Sequence, residues 1–383
     1  LAIAGSALAS MGSLSVYNLF ADRIANHKLL IRILTVSLLG LAAGVLLLAE
    51  GWSLLAFPLL YVLDSALIRD LLNVHWPVYV NGFFDTQSAK RIFPVLSSAS
   101  RLAAIVAGLT MPVLNRGLSS TGIIAVMLVT QAAMLSLVFA MRRALPDSTE
   151  TITAVQSNPG IRGGFANIQE GYRFVAGSRY LRWIAVITFL TMVVLAFLTY
   201  QTGRLLLTEL RTVQNMSNFT ALLRGLGNLI ALPFQLFMFS RVIGRIGVGN
   251  ASLIYPAASF VAVTGLTLLP NLLTAGFGYI TRSVLRNTFY IPVDGLLYNA
   301  VPLRLKARAR GFISGYVMSA GSLAGGLLIM FNPQQAGPLL GALFACVALA
   351  YLGSSLQVRR HYSKAVVAML DHDDYLSLQA PSE

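Results

Sequence analysis

The chain has 383 residues, of which 56% are hydrophobic and 11% are charged, whereas a soluble domain has roughly 25% charged residues. So little charge cannot cover a surface that faces water, but apolar side chains suit one that faces membrane lipid. The formal net charge of +14 lies mostly in short segments between apolar runs. Without a zinc pattern or a long basic tract, this charge does not indicate nucleic-acid binding.

Eleven apolar runs are long enough to cross a bilayer core of about 30 Å, which takes about 20 residues in a helix. The segment Gly163–Ala176 (GGFANIQEGYRFVA) is too polar to cross and predicts an amphipathic helix within a loop. We therefore predict an all-α membrane protein. In chain order, the runs are Leu1–Phe20, Leu29–Leu48, Leu54–Val80, Ile92–Leu114, Gly122–Met141, Arg182–Leu206, Met216–Phe239, Gly249–Leu269, Leu272–Val301, Phe312–Met330 and Ala336–Leu356.

An internal repeat relates the two halves of the chain. Leu19–Ile24 (LFADRI) matches Met238–Ile243 (MFSRVI), and Lys90–Phe93 (KRIF) matches Ala309–Phe312 (ARGF), each after a shift of about 218 residues. The second half contains six predicted spans and the first contains five, so we expect one further helix before Leu1. Two parallel repeats of six helices are the architecture of the major facilitator superfamily.

The distribution of Lys and Arg predicts the orientation in the membrane. Basic residues cluster in the loops on one side of the predicted spans, and the opposite loops carry little beyond Arg116 and Arg211. Because the basic side faces the cytoplasm, we expect an integral protein of a bacterial inner membrane with a cytoplasmic central loop and C-terminus. Its predicted parts are an N-terminal bundle (1–143, lacking its first helix), the central loop (144–181), a C-terminal bundle (182–356) and a tail or linker (357–383).

Two loops resemble those of the bacterial and plastid ADP/ATP translocase family of nucleotide transporters. Phe84–Pro94 (FDTQSAKRIFP), followed by a helix of small residues, looks like the loop between the fourth and fifth helices of that family. Leu305–Gly315 (LKARARGFISG) looks like the matching loop in bacterial relatives. The resemblance implies a major-facilitator fold and a nucleotide or nucleotide-like substrate. It also implies that this chain is a divergent member of the family, since all four of its lysines lie in predicted loops or in the tail and none within a predicted span.

Six arginines lie within the predicted spans or close to their ends, although a charge at mid-helix costs about 2.5–3.5 kcal/mol. Only three acidic residues share the spans, so internal ion pairs cannot neutralise the set. The surplus suits an anionic substrate, because the guanidinium fork matches phosphate and carboxylate oxygens. The arginines are Arg69, Arg101, Arg204, Arg224, Arg282 and Arg286, and the acids are Asp64, Asp70 and Asp294.

The run Leu272–Val301 carries the main candidate substrate site. Residues three, four and seven apart share a helix face, so two cations and two aromatic rings form one stripe that could hold a phosphate and stack a base. The alternative is that Arg282 pairs with Asp64 or Asp294, while the aromatic rings pack against neighbouring helices. The stripe consists of Tyr279, Arg282, Arg286 and Phe289.

Two other helices contribute candidate ligands. Met216–Phe239 carries Arg224 and Asn228 on a polar stripe, which must face a cavity or another helix. For Asn228, hydrogen bonding between helices is the alternative. Arg101, in a helix of small residues, is a further candidate, although small residues usually indicate close packing.

Other charged residues could serve coupling and gating. Asp64 and His75 project in the same direction from one helix and could relay protons, with an ordinary ion pair for Asp64 and an interfacial position for His75 as the alternative. Asp294 is a further candidate for proton coupling or for an ion pair. Charges in the loops could latch cytoplasmic helix ends in one state of a transport cycle, and plain topology is the alternative. The latch candidates are Asp22, Arg23, Asp85, Arg91, Arg241, Arg308 and Arg310.

Signals of catalysis are absent from the sequence. It contains no Walker loop, nucleophile elbow or HExxH motif, so we expect neither an enzyme nor a cofactor, and no metal spacing appears among the histidines. Our main hypothesis is a secondary transporter that moves nucleotides or similar organic phosphates by alternating access, including ATP/ADP exchange. The alternatives are a non-transporting anchor, sensor or subunit of a membrane complex, and a proton-coupled organic anion carrier. The tail His361–Glu383 is expected to lead to a soluble domain or to partner subunits.

Overall fold

A computed structural model describes residues 2–21, 24–81, 86–144, 169, 171–301, 309–331 and 337–378. Within these ranges the chain is helical apart from short turns, and they contain no strand. The chain divides into two compact units, residues 1–100 with 110–166 and residues 101–109 with 167–383. A short piece of a first-half helix therefore belongs to the second unit.

The first unit is built from five helices that bury a core of aliphatic and aromatic side chains. Helix α2 packs against α3 and α5, and α1 packs against the middle of α3. Leu30 and Leu34 of α2 are fully buried at the centre of this core. The helices are α1 (Ala2–Ala21), α2 (Asn26–Ala49), α3 (Ser53–Val62, continuing as Leu63–Leu71 and Leu72–Asn81), α4 (Thr86–Gly117, without residues 101–109) and α5 (Ser120–Ala144).

The described part of the second unit contains six long helices, of which α6 is central, and a short helix at residues 171–177. Helices α9, α10 and α11 pack directly on α6, and α8 packs on α11. The helices are α6 (Arg179–Leu210), α7 (Val213–Pro233, Phe234–Met238 and Phe239–Ile246), α8 (Val248–Ala251 and Ile254–Leu268), α9 (Leu272–Ile280, Thr281–Tyr290 and Ile291–Leu297), α10 (Ala309–Met330) and α11 (Gly337–Leu378).

Each of the eleven predicted runs lies on one of these helices, as far as the described residues extend. Seven helices of the described chain are long and apolar enough to cross a membrane, and the prediction of an all-α membrane protein is confirmed. Residues 171–177 of the predicted amphipathic segment are helical, and Val175 packs into the core beside Tyr180. Most of the predicted central loop lies outside the described residues, so its bounds stay a prediction.

Helices α3 and α9 share an uncommon feature, a long central segment of π-helix. The segments are Leu63–Leu71 in α3 and Thr281–Tyr290 in α9. The shift of about 218 residues that relates the two halves carries residues 63–71 onto 281–289. π-helical turns are rare and often occur at functional sites. The two π segments thus occupy equivalent positions in the two halves, which supports the internal repeat and directs attention to the polar residues of both segments.

Helix α10 approaches α6 closely through two glycines one turn apart. A Cβ atom added to Gly321 would lie 2.5 Å from the carbonyl oxygen of Phe189, and one added to Gly325 would lie 2.7 Å from the Cβ of Ala196. In lipid, where burial of apolar surface gives little drive for association, helices associate through such close contacts between small residues. The contact fixes the position of α6, against which α9 also packs.

Gly321→Ala is expected to destabilise the second unit, because the added methyl group would overlap the Phe189 carbonyl and push α10 away from α6. Overpacking of this kind costs about 1–3 kcal/mol and should lower the thermal unfolding midpoint of the purified protein in detergent. Gly315→Ala on the same helix is the matched control, since nothing lies within 4 Å of a Cβ atom there. Equal midpoints for the two variants would contradict the close contact.

Candidate functional site

The π segment of α9 positions the two arginines predicted to bind an anion. Arg282 and Arg286 are both half-buried, and the Arg282 guanidinium carbon lies 4.8 Å from the centre of the Tyr279 ring. A cation held over an aromatic face gains about 0.5–2 kcal/mol, so Tyr279 orients this guanidinium. The buried Nε of Arg286 has no hydrogen-bond partner among the described residues, which leaves a donor for another acceptor.

A proline, Pro292, follows closely after the π segment, and it leaves one carbonyl of that segment without a backbone donor. Ile291 donates its N–H to the carbonyl of Arg286, five residues earlier. The next bond of the same type would run from residue 292 to Asn287, but Pro292 has no N–H. In a membrane, a backbone carbonyl deprived of its partner must find another within the protein.

Arg101 supplies the missing donor. Its Nη2 donates to the carbonyl oxygen of Asn287 at 3.2 Å, while Nη1 donates to Oγ1 of Thr288 at 3.1 Å and to Oδ1 of Asn228 at 3.3 Å. The side chain is buried, with 8% of its surface exposed. The sequence suggested Arg101 as a substrate ligand, but here three protein acceptors occupy its guanidinium.

Two glycines on α7 bring Asn228 to this network. A Cβ atom at Gly227 would lie 2.5 Å from Cγ2 of Val284, and one at Gly225 would lie 3.3 Å from the Cα of Gly108. Helix α7 therefore lies close to both α9 and the 101–109 segment. Asn287 and Thr288 were not selected from the sequence, although the proline four to five residues later could have indicated a carbonyl in need of a donor.

Arg224 differs from Arg101 in its surroundings. Its side chain is exposed on α7, and its backbone carbonyl accepts from the Nδ2 of Asn228 at 2.8 Å. Because Asn228 also accepts from Arg101, this asparagine links the two arginines. The guanidinium of Arg224 remains the more accessible of the two cations.

Phe289 does not share the surroundings of the two arginines of α9. Its side chain is 3% exposed and packs with Ala251 and Val293, in an edge contact with Phe239 whose ring centre is 5.9 Å away. The predicted stripe assumed α-helical spacing, but the wider turn of the π segment rotates a residue seven positions from Arg282 away from it. The packing favours a core role for this ring.

Asp294 lies on α9, two turns beyond Arg286. Its Oδ1 is buried and accepts no hydrogen bond from the described residues. Arg310 and Arg286 are the cations within electrostatic range of the carboxyl, among the residues described. Arg310 itself lies with its guanidinium carbon 5.6 Å from the centre of the Tyr298 ring. The carboxyl therefore has positive neighbours but no described donor to this oxygen.

His75 holds the first unit together through partners other than Asp64. The ring is fully buried, with Nε2 at 2.8 Å from the carbonyl oxygen of Asn26 and Nδ1 at 2.9 Å from the hydroxyl of Tyr17. Because a carbonyl only accepts, Nε2 carries the proton and Nδ1 accepts from Tyr17. The neutral ring thus joins α3 to both helices that flank the turn after α1, which favours a structural role.

Most of the predicted latch falls where the structure gives no side-chain description. Asp22, Arg23, Asp85 and Arg308 lie outside the described residues, and Arg91 is described only as part of α4. Arg241 is exposed on α7, and Arg310 is exposed at the start of α10 beside Tyr298. The latch therefore stays a prediction.

A larger groove of the second unit lies away from these charges. Its volume is about 580 Å³, and it is lined by apolar side chains of α6, α10 and α11, among them Phe189 and Val193, and by Phe331 just after α10. Such walls suit lipid chains and offer nothing to a phosphate. The half-buried and exposed arginines lie instead on α9 and α7.

A family model, the TLC ATP/ADP transporter, matches residues 20–284. The match covers more than half of the chain. The chain belongs to the TLC ATP/ADP transporter family. The match includes the 101–109 segment, α7 and Arg282, and it ends before Arg286 and Asp294. No curated protein matches the chain.

Solved structures of transporters share the fold of this TLC family member. A mutant form of the nucleoside transporter NupG is 14% identical, with a TM-score of 0.59 over 95% of this chain and 89% of that one. The human organic anion transporter MFSD10 is 16% identical, with a TM-score of 0.52 over 96% and 82%. At these identities the likeness establishes the fold, and the predicted major-facilitator architecture is confirmed.

Arg101→Met is expected to destabilise the TLC protein by about 1–3 kcal/mol, the cost of leaving buried acceptors unpaired. Pro292→Ala restores an N–H that can donate to Asn287, so it should recover part of this loss in the double variant. Thermal unfolding in detergent measures both effects, and Arg224→Met, which removes an exposed guanidinium, is the control. If the effects of the two substitutions on stability simply add in the double variant, the loss of the bond to the Asn287 carbonyl is not what destabilises Arg101→Met.

His75→Phe should also lower the unfolding midpoint, because it deprives the partly buried Asn26 carbonyl and the Tyr17 hydroxyl of their partner. Tyr17→Phe removes one of the two bonds and should cost less. His361→Gln is the matched control, since Nδ1 of His361 bonds to the carbonyl of Gln357 on its own helix. A midpoint of His75→Phe equal to that of the control would rule out the structural role.

Proposed function

We propose that this protein is a secondary transporter of nucleotides or similar organic phosphate anions. The observation that carries the proposal is the placement of Arg282, Arg286 and Arg224, half-buried or exposed, on two helices that pack against each other. Guanidinium groups bind phosphate oxygens through paired, charge-assisted hydrogen bonds. Family membership supports ATP and ADP as the first substrates to test.

The second part of the proposal concerns how each group contacts the substrate. Arg282 is oriented by Tyr279, and the buried Nε of Arg286 can donate to the phosphate once its side chain turns to meet it. The exposed Arg224 approaches the same anion from α7. Arg101 and Asn228 keep α9 in the shape that presents the two arginines, and Asn228 can exchange its bond to Arg101 for one to the substrate.

Transport then follows from the fold without a catalytic step. The two repeats of a major-facilitator transporter alternate access to a site near the bilayer midplane, and the chain contains no Walker loop that would hydrolyse ATP. A bacterial inner membrane with the central loop and C-terminus in the cytoplasm fits the Lys and Arg distribution. The loop charges Arg241 and Arg310 would help to hold one side closed.

The test is uptake of labelled ATP or ADP into proteoliposomes loaded with the unlabelled nucleotides. Uptake should be stimulated by internal nucleotide and should fall at least about tenfold in Arg282→Ala, because one charge-assisted contact to phosphate contributes about 1.5–3 kcal/mol. Arg116→Ala, which removes an exposed charge near the end of α4, should transport normally.

Two outcomes contradict the proposal in different ways. Absence of uptake by a folded, monodisperse protein would exclude nucleotide transport and favour the anchor or subunit role. Normal uptake by Arg282→Ala would leave transport standing but would exclude this residue as a ligand. A direct binding measurement in detergent separates weakened binding from slowed transport.

A further inference from the structure

A small cavity inside the second unit borders Asp294. Its volume is about 10 Å³, which is at the lower limit for holding one water molecule. Its walls are mostly aromatic and aliphatic, and Tyr255 of α8, Tyr290 of α9 and Tyr351 of α11 line it together with Asp294. The Oδ1 atom of Asp294 is buried and has no donor among the described residues. A carboxylate oxygen in such a place has lost water without gaining a hydrogen bond, and a proton would remove the unpaired charge.

The charged and titratable groups that surround Asp294 and its cavity come from five helices, as far as the described residues show. Arg310 and Arg286 are the cations, and the rest are tyrosines. Within the described part of the chain no second carboxyl is among them, so a proton taken up here would have a single acid to bind. The tyrosines are Tyr180 on α6, Tyr255 on α8, Tyr290 on α9, Tyr298 just after α9 and Tyr351 on α11.

We propose that Asp294 is the proton-binding carboxyl that couples anion transport to a proton gradient. The proposal rests on the proposed function, in which Arg286 binds the anionic substrate. When the anion occupies Arg286, its negative charge offsets the guanidinium that otherwise favours the carboxylate form of Asp294. A proton then bonds to a carboxylate oxygen of Asp294, and one proton moves with each anion.

Linkage makes the relation reciprocal, because a protonated Asp294 must strengthen anion binding by the same factor. The geometry also favours Asp294 over His75 as the proton carrier. Both ring nitrogens of His75 are occupied by Tyr17 and Asn26, whereas Oδ1 of Asp294 accepts from no described residue and lies beside a cavity.

The experiment measures binding of ATP to the purified protein at several pH values, with a pH-sensitive dye in weak buffer to count protons taken up. In the wild type, ATP affinity should weaken as the pH rises through the titration of Asp294, by at most about tenfold per pH unit for one linked proton. Asp294→Asn, which resembles the protonated acid, should bind ATP with a flatter pH profile and take up about one proton fewer per ATP. Asp294→Glu should restore the linkage, and Glu209→Gln, at an exposed position of α6, should match the wild type.

Proteoliposomes complete the test. With an acidic exterior, the wild type should accumulate labelled nucleotide above equilibrium, while Asp294→Asn should exchange nucleotide but fail to accumulate it. Equal pH profiles, proton uptake and accumulation in wild type and Asp294→Asn would overturn the coupling role and leave the transport function intact. A folded wild type that neither binds nor moves nucleotides would overturn both.

Discussion

A proline inside a membrane helix leaves a backbone carbonyl that no water in the lipid can satisfy. In α9 that carbonyl belongs to Asn287, since Pro292 cannot supply the N–H expected at the end of the π segment. The guanidinium of Arg101 meets this need and at the same time binds Thr288 and Asn228. A single side chain thus holds the irregular part of α9 and the middle of α7 in register with the 101–109 segment.

The same irregularity gives α9 its functional character. A π turn is wider than an α turn, so Arg282 and Arg286 stay near each other while Phe289 turns into the core. Close contacts at Gly227 and Gly321 support this shape from neighbouring helices. A helix with a proline, a π segment and two charges is unstable in lipid by itself, and the second unit holds it through packing and through one donor. The carbonyl groups of such a segment can accept from a backbone N–H or from a side-chain donor. This choice suits a part of the protein that must change its hydrogen-bond partners during transport.

Sequence reasoning found the helices because hydropathy reports the lipid environment directly, and each predicted run lies on a helix. It found the repeat because the loop sequences still match across about 218 residues. It could not find the role of Arg101, because a lone arginine in an apolar run suggests a ligand or a packing residue equally. Nor could it place Phe289, because α-helical spacing was assumed where the turn is wider. Both questions depend on backbone geometry, which side-chain periodicity does not reveal, although Pro292 marked where to look.

The distribution of acids and bases in the second unit suggests why a transporter would separate its two kinds of arginine. Three of the five guanidinium N–H groups of Arg101 donate to protein acceptors, so this residue contributes more to shape than to attraction for a substrate. Arg286 and Arg224 retain donors, so they carry the attraction, and the charge they leave uncompensated is costly while the site is empty. Asp294 lies within electrostatic range of Arg286 and accepts no described hydrogen bond through Oδ1, so its carboxylate reduces that cost. When a bound anion neutralises Arg286 in place of Asp294, the carboxyl of Asp294 can take up a proton. The positive charges that bind the anion thereby also couple its binding to proton uptake.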